Sequence, residues 1–421
     1  MDQAESIDPG ATARSPTAQR AAMLLAVLAP TAMFASPAAF SILLGAALLA
    51  FIWARIPLRL PSPTWLPLLL FLIGTLVAIA LSPDPIACWP QAKKFWVFLV
   101  LPLFYSAVRH TSDVRRVGLL WAALASVTAA WSFEQFIRKW EAARAAHTDF
   151  YLTYIGSRVT GLRDHWMTFA GEQMIAVLLA ASLLLFAPRV RRSWWLGIAL
   201  ALISASLVIS LTRGVWIATV AGLLYLIGMW RPRFLPLAPA LLLIVAWAGP
   251  PVVRERIASL FQPHGEADSN MQRVYVWRTG VAMVEAHPWF GLGPDQVKVQ
   301  FDDYMPPDLP KQKPVGFYGH LHNIYLQYAA ERGVPTLIAM LWFVLGNVVV
   351  FARKLRQLPP GRSNARFALH GAIAVTLAVL IEGFVETNLA DSEILAMYLA
   401  TMAMAYIAVD AAQRPPRTVT V

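Results

Sequence analysis

Apolar runs of bilayer-spanning length recur along almost the whole chain, and short clusters of arginine and lysine separate them. A stretch of about 20 apolar residues matches the hydrocarbon thickness of a bilayer. Backbone in hydrocarbon must satisfy its own hydrogen bonds, so a series of such runs restricts the chain to a helical bundle in a membrane. Composition agrees: of 421 residues 58% are hydrophobic and only 14% are charged, where a soluble domain carries roughly 25% charged residues. A net charge of +11 would suit a nucleic-acid ligand, but the cations sit between apolar runs, the pattern that orients helices in a bilayer. No nucleic-acid partner is expected. Cys88 is the only cysteine, which excludes an intramolecular disulfide. The first twenty residues are polar and mixed in charge, without the signature of a cleavable signal peptide.

Residues 1–20 read as a disordered tail. About twelve spans follow, expected at 21–36, 38–54, 65–81, 94–108, 115–135, 167–187, 194–212, 214–230, 234–249, 335–352, 367–386 and 392–410. The fold class is therefore an all-α polytopic membrane protein. Orientation comes from the connections. Arg55, Arg59, Arg109, Arg115, Arg116, Arg189, Arg231, Arg233, Arg353, Lys354, Arg362 and Arg366 all fall on one side, with Asp113 the only acid among those segments. By the positive-inside rule this side is the cytoplasm, and both termini, including a tail at 411–421, lie there. The opposite side receives loops at 136–166 and 250–334. The second is too long for a connector and is expected to fold as a small lid with helices of its own. Its stretch 250–322 holds eight acidic and seven basic residues, a near balance that suits an extracytoplasmic working face. The domain reading is thus spans 1–9 within 21–249, the large loop at 250–334 and the last three spans within 335–410.

At the end of that loop the chain reads Gly319-His-Leu-His322-Asn323-Ile-Tyr325 through Gly333-Val-Pro-Thr336. Asn323 is a good N-cap, Gly333 a good C-cap and Pro335 a good opening residue for the next helix. His322 then stands just before a helix N-terminus at the membrane surface, where the local partial positive charge suits a neutral, proton-accepting imidazole. It reads either as a general base or as a loop residue touching headgroups. His320, Asn323 and Tyr325 are secondary candidates beside it. His320 and His322 suggest a metal pair, yet on a helix residues i and i+2 point apart, and no third ligand is placed. No metal and no cofactor are expected.

Arg213, in the turn Ser210-Leu-Thr-Arg-Gly214, lies at the outer surface, where topology gives no reason for a cation. Its planar fork can snorkel to headgroups or bind phosphate. Arg158 and Arg163, before the span at 167, are candidates for the same anion, although Arg163 can simply pair with Asp164. Arg273 and Arg278 precede His287-Pro-Trp-Phe-Gly291-Leu-Gly293, and Arg273 shares a helix face with Trp277. Lys93 and Lys94 are further phosphate candidates, and Glu382, an acid inside a span, is a functional candidate by default.

Three segments together resemble the O-antigen ligase and O-antigen polymerase superfamily: the Ser-x-x-Arg-Gly turn at 210–214, the run from Arg273 to Gly293, and His322-Asn323 followed by Gly333. The similarity in motif order and spacing covers about residues 150–410 and is greatest to the ligase branch. It departs in one place, because a second glycine often follows the first and here Val334, Pro335 and Thr336 follow Gly333. The resemblance implies a type-C glycosyltransferase fold with a large periplasmic loop in the bacterial inner membrane. It implies inverting, metal-independent transfer of O-antigen from undecaprenyl diphosphate to lipid A-core, with His322 as base and Arg213 and Arg273 on the pyrophosphate. Polymerase and protein O-oligosaccharyltransferase activity share this chemistry. A transporter of lipid-linked sugars is the alternative from another class, and it predicts charges at mid-membrane depth.

Overall fold

Helix starts and stops follow local chemistry closely. In the computed structural model, which describes residues 16–189, 194–237, 239–240, 247, 249–259, 269–309, 317 and 319–412, all regular secondary structure among the described residues is helical. The elements are α1 (Pro16–Thr31), α2 (Pro37–Trp53), α3 (Trp65–Ala80), α4 (Val100–Ala107), α5 (Thr111–Ala145), α6 (Phe150–Ile155), α7 (Trp166–Phe186), α8 (Trp194–Ile209), α9 (Arg213–Trp230), α10 (Pro251–Ala258), α11 (Ser269–Ala286), α12 (Ile324–Arg332), α13 (Val334–Gln357), α14 (Asn364–Glu382) and α15 (Ser392–Ala411). Among the described residues seven helical segments are long and apolar enough to cross a membrane, namely α1 together with the 3-10 turn that extends it to Phe34, α5, α7, α9, α13, α14 and α15; α2, α3 and α8 are shorter apolar helices. The chain is a polytopic helical membrane protein.

Several elements differ from the sequence expectation. The run at 94–108 is a 3-10 segment, Lys94–Leu99, leading into the short α4. Pro102 has no N–H to return to the carbonyl four residues back, which loosens the helix at that junction. Helix α5 continues to Ala145, ten residues past the expected span. Its extension carries a Glu134–Arg138 ion pair and an Arg144 guanidinium over the Trp140 ring, contacts at helical spacing that support an exposed helix. Helix α1 starts at Pro16, inside the expected tail; Ser36 caps α2 by accepting from the Ala39 N–H. Residues 1–15, half of the span expected at 234–249, and 413–421 lie outside the described residues.

Helices α7 and α15 form the centre, with 89% of their span residues buried, against 33% for α9 and 39% for α13. In hydrocarbon, apolar burial hardly distinguishes protein from lipid, so packing and interhelical hydrogen bonds hold the bundle. Gln173 Nε2 donates to Thr128 Oγ1 at 2.7 Å, Trp121 Nε1 to Thr31 Oγ1 at 2.9 Å, and the Tyr406 hydroxyl to Asn347 Oδ1 at 2.6 Å. The large loop has its own small core of Tyr275, Val276, Met283, Leu292, Val297, Phe301, Leu321 and Ala330. Outside the bilayer each such large side chain adds roughly 1.5–3 kcal/mol on burial, so this segment packs as a unit over one end of the bundle. Ser82 ties it down by donating to the Leu292 carbonyl at 3.1 Å, and Gln91 does so through Asp295 at 2.7 Å.

Candidate active site

The short helix α12 organises the loop that carries both histidines. Asn323 caps it, its Oδ1 accepting from the Leu326 N–H at 2.9 Å. At the other end Leu292 N–H and Gly293 N–H donate to the carbonyls of Ala330 and Glu331, and Val334 N–H donates to Pro288. The run His287 to Gly293 is therefore a bracket around the helix C-terminus, satisfying carbonyls that the helix cannot. Gly333, at φ +80°, is required there: a Cβ would lie 2.1 Å from the Trp289 carbonyl oxygen. A buried polar chain then reaches back to the histidines. Gln327 Nε2 donates to Glu331 Oε1 at 2.6 Å, and Gln327 Oε1 accepts from the Leu321 N–H at 2.8 Å.

His320 and His322 flank Leu321 in a loop, so the argument that i and i+2 residues point apart does not apply. His322 adopts φ +48°, a left-handed conformation uncommon outside glycine, and the two rings approach to 4.1 Å between centroids. Such a strained residue is held by its surroundings and is found often at functional sites. The segment following α14 packs against the start of α12. Gly383 and Glu386 carbonyls accept from the Ile324 N–H, and Asn323 Nδ2 donates to the Phe384 carbonyl at 3.2 Å. This docking sets Glu386 Oε2 3.3 Å from His322 Nδ1. Burial opposes ionisation of Glu386, but the His322 hydrogen bond and the charges of His322 and His320 outweigh it and bring the carboxyl down to about 2. Burial, followed by the charge of His322, pulls His320 down to about 4. His320, His322 and Glu386 also offer three ligand atoms within 4.8 Å of one another, a set able to hold a metal ion. The third ligand atom missing from the sequence reading is supplied by a residue 64 positions away.

Two adjoining cavities meet at Glu382, Glu386 and Met167. One, of about 160 Å³, is lined also by His165, His320 and Asp391. The other, of about 60 Å³, is lined by Arg158, Arg213, Arg256 and Arg273. Arg213 is the first residue of α9, after a three-residue turn in which Leu211 takes φ +52°. Gly214 lets this turn press on the segment after α14, since a Cβ there would meet Val385 at 2.5 Å. Arg256 Nε donates to the Leu211 carbonyl at 3.1 Å, and Arg213 donates to Ser259 Oγ at 3.4 Å. Arg158 stacks over the Trp166 ring at 5.0 Å. Burial and then the charge of Arg256 draw the Arg158 guanidinium down to about 9, with Arg213 adding to the effect. Cations crowded this closely favour a polyanion between them, and planar guanidiniums suit phosphate oxygens.

Other candidates stand elsewhere. Arg163 does not line either cavity and does not pair with Asp164; its Nε is 2.7 Å from Glu172 Oε1, with both side chains buried inside the bundle. Arg278 points to the surface in a two-pronged pair with Asp308, at 2.7 and 2.9 Å. Tyr325 donates to the Leu380 carbonyl and packs on Phe384, docking α12 onto α14. Lys94 donates to the Ala390 carbonyl at 3.0 Å, while Lys93 is exposed and lines neither cavity. Glu382, by contrast, lines both cavities; it is buried and accepts from Asn388 Nδ2 at 3.0 Å. His165 and Arg256 line the cavities without having been singled out from sequence. Nothing local marks Arg256, one of three charges in a row at 254–256, whereas His165 stands directly before a predicted span and near Arg158 and Arg163.

Residues 198–341 match the family model for O-antigen ligase. This match supports membership of the O-antigen ligase superfamily. It covers roughly a third of the chain, from α8 into α13, and takes in Arg213, Arg256, Arg273, His322 and Gly333. Arg158, His165, Glu382 and Glu386 lie outside the matched stretch. No curated protein matches the chain. Proteins of the matched family act on lipid-linked polysaccharides in membranes.

Proposed function

We propose that this O-antigen ligase superfamily member moves O-antigen from undecaprenyl diphosphate onto lipid A-core at the periplasmic face of the bacterial inner membrane, with twelve spans and both termini cytoplasmic. The observation that carries the reading is the shared wall: Glu386 touches His322 on one side and lines the arginine cavity on the other. Arg158, Arg213, Arg256 and Arg273 hold the donor diphosphate at headgroup depth and stabilise the charge that develops as it leaves. With Nδ1–H donated to Glu386, His322 Nε2 is the nitrogen left to accept the proton of an acceptor sugar hydroxyl. The acceptor oxygen bonds to the anomeric carbon as the carbon–oxygen bond to the diphosphate breaks, and the electron pair departs with the phosphate. Attack opposite the leaving group inverts the anomeric centre. Energy stored in the glycosyl diphosphate drives transfer, so no nucleotide triphosphate is needed, and the proposed scheme uses His322 and the arginines in place of a metal.

The test is a reconstituted assay in which undecaprenyl-diphosphate-linked glycan is offered lipid A-core, a second lipid-linked unit and a pilin-like peptide in parallel. Sugar on lipid A-core is the expected result. Sugar on the lipid-linked unit instead makes the chain a polymerase, sugar on the peptide makes it a protein oligosaccharyltransferase, and movement of donor across the bilayer without transfer makes it a transporter.

A further inference from the structure

A third cavity, of about 240 Å³, opens at the opposite end of the bundle from the histidines. The connectivity fixes this. Helices α7 and α9 begin at the histidine and arginine cavities with His165 and Arg213, and α14 ends there with Glu382, whereas the third cavity is lined by Arg189 just after α7, Trp230 at the end of α9 and Arg362 just before α14. Arg115, near the start of α5, completes a set of three guanidiniums, and no acidic residue lines the cavity among the described residues. The remaining wall is apolar, with Leu119, Leu183, Trp195 and Leu196 among its residues.

Topology explains why arginines populate this end, but not why they converge on a cavity. Arg362 donates to the Leu184 and Ala187 carbonyls at 3.0 and 3.3 Å, which pins its guanidinium at the rim. Burial, then the like charges of Arg189 and Arg231, hold that guanidinium below the usual arginine range. Arg115 Nε is buried with no hydrogen-bond partner among the described residues, and a buried donor of that kind is costly unless something fills it. Two tryptophans stand where indoles favour the junction of headgroups and acyl chains.

We infer that this cavity is a binding site for an anionic phospholipid, its phosphate held by Arg115, Arg189 and Arg362 and the start of its acyl chain laid against Leu119, Trp195 and Trp230. Basic pockets between helix ends suit lipid headgroups of this kind. Free phosphate shares the recognition chemistry but leaves the apolar wall uncovered. The site is independent of glycan transfer and stands whether or not the acceptor is lipid A-core.

The test is native mass spectrometry of the full-length protein in detergent, with phosphatidylglycerol, phosphatidylcholine or inorganic phosphate added, and thermal unfolding of the same samples. Phosphatidylglycerol is expected to bind at least tenfold more tightly than phosphatidylcholine and to raise the unfolding midpoint, and phosphate alone to do neither at equal concentration. Arg115→Gln/Arg189→Gln removes two charges without touching the Arg362 carbonyl contacts. It is expected to lower phosphatidylglycerol affinity about tenfold to thirtyfold and leave phosphatidylcholine binding unchanged. Equal binding of the two lipids by the unmodified protein, a phosphatidylglycerol preference that survives the double substitution, or phosphate binding as tightly as phosphatidylglycerol would each overturn the inference.

Discussion

Replacing Glu386 by glutamine keeps its size and removes its charge, which isolates what the carboxylate does for His322. The fall of the Glu386 carboxyl from its ordinary 4.5 to about 2 corresponds to roughly 3 kcal/mol in favour of the charged form. His320 and the Thr387 N–H share in that figure, so only part of it belongs to the His322 contact, where the carboxylate is placed to orient the imidazole and stabilise the charge that develops as the proton is taken. The Nδ1 to Oε2 distance of 3.3 Å is longer than the roughly 2.7–2.9 Å of a strong charge-assisted bond, and the carboxylate keeps 14% side-chain exposure. Allowing for both, about 1–2 kcal/mol reaches the transition state, or ~5- to 30-fold in kcat. Donor binding moves differently: Glu386 also lines the arginine cavity, and removing an acid there relieves repulsion toward diphosphate. Single-turnover transfer and equilibrium donor binding, measured on the same folded preparation of Glu386→Gln, should show slower chemistry with donor affinity unchanged or improved. Unchanged kcat, or a defect confined to donor affinity, would refute the assignment of Glu386 as the group that positions His322.

His322→Ala should abolish transfer while the protein still binds donor; retained activity in purified protein removes the base. Arg213→Ala or Arg273→Ala should weaken donor affinity by about tenfold or more, since a lost charge-assisted contact is worth roughly 1.5–3 kcal/mol, and unchanged affinity in both removes them from the site. Arg163→Ala leaves Glu172 buried without its partner and is expected to cost about 3–5 kcal/mol of stability, whereas Arg278→Ala, at an exposed pair, should change stability by no more than about 1 kcal/mol; thermal unfolding of the two side by side distinguishes them. Because His320, His322 and Glu386 stand close enough to bind an ion, metal is tested directly. Transfer should persist after EDTA treatment and exhaustive dialysis, and loss of activity restored by one added cation would replace the base mechanism with a metal-dependent one.

What the sequence made legible follows the range over which each interaction acts. Apolar runs, caps and turn residues are local, so the positions of α7, α9, α13, α14 and α15, the Asn323 cap and the tight turn before Arg213 could all be placed from neighbours in the chain. The break before α4 is also local, since Pro102 was visible, but an apolar run long enough to span outweighed it. The polar extension of α5 escaped because a hydropathy criterion ends a helix where the lipid ends, while Glu134, Arg138, Trp140 and Arg144 continue it in water.

The site divides along the same line. Arg158 and Arg213 were legible as cavity-lining candidates because a cation at the outer end of a span has little topological reason to be there, and Arg273 because it shares a helix face with Trp277 in the loop; reading of this kind uses only the local sequence. It gave the same weight to Arg163 and Arg278, because burial against Glu172 and pairing with Asp308, 30 positions away, are decided by tertiary packing. Glu386 is the sharper case. In sequence it is one acid among Glu382, Asp391 and Glu393 at a helix end; only the docking of Ile324 and Asn323 onto residues 383–386 makes it the partner of His322. A charge cluster therefore marks where chemistry can happen, and the backbone contacts between the α12 start and the α14 end decide which of its members takes part.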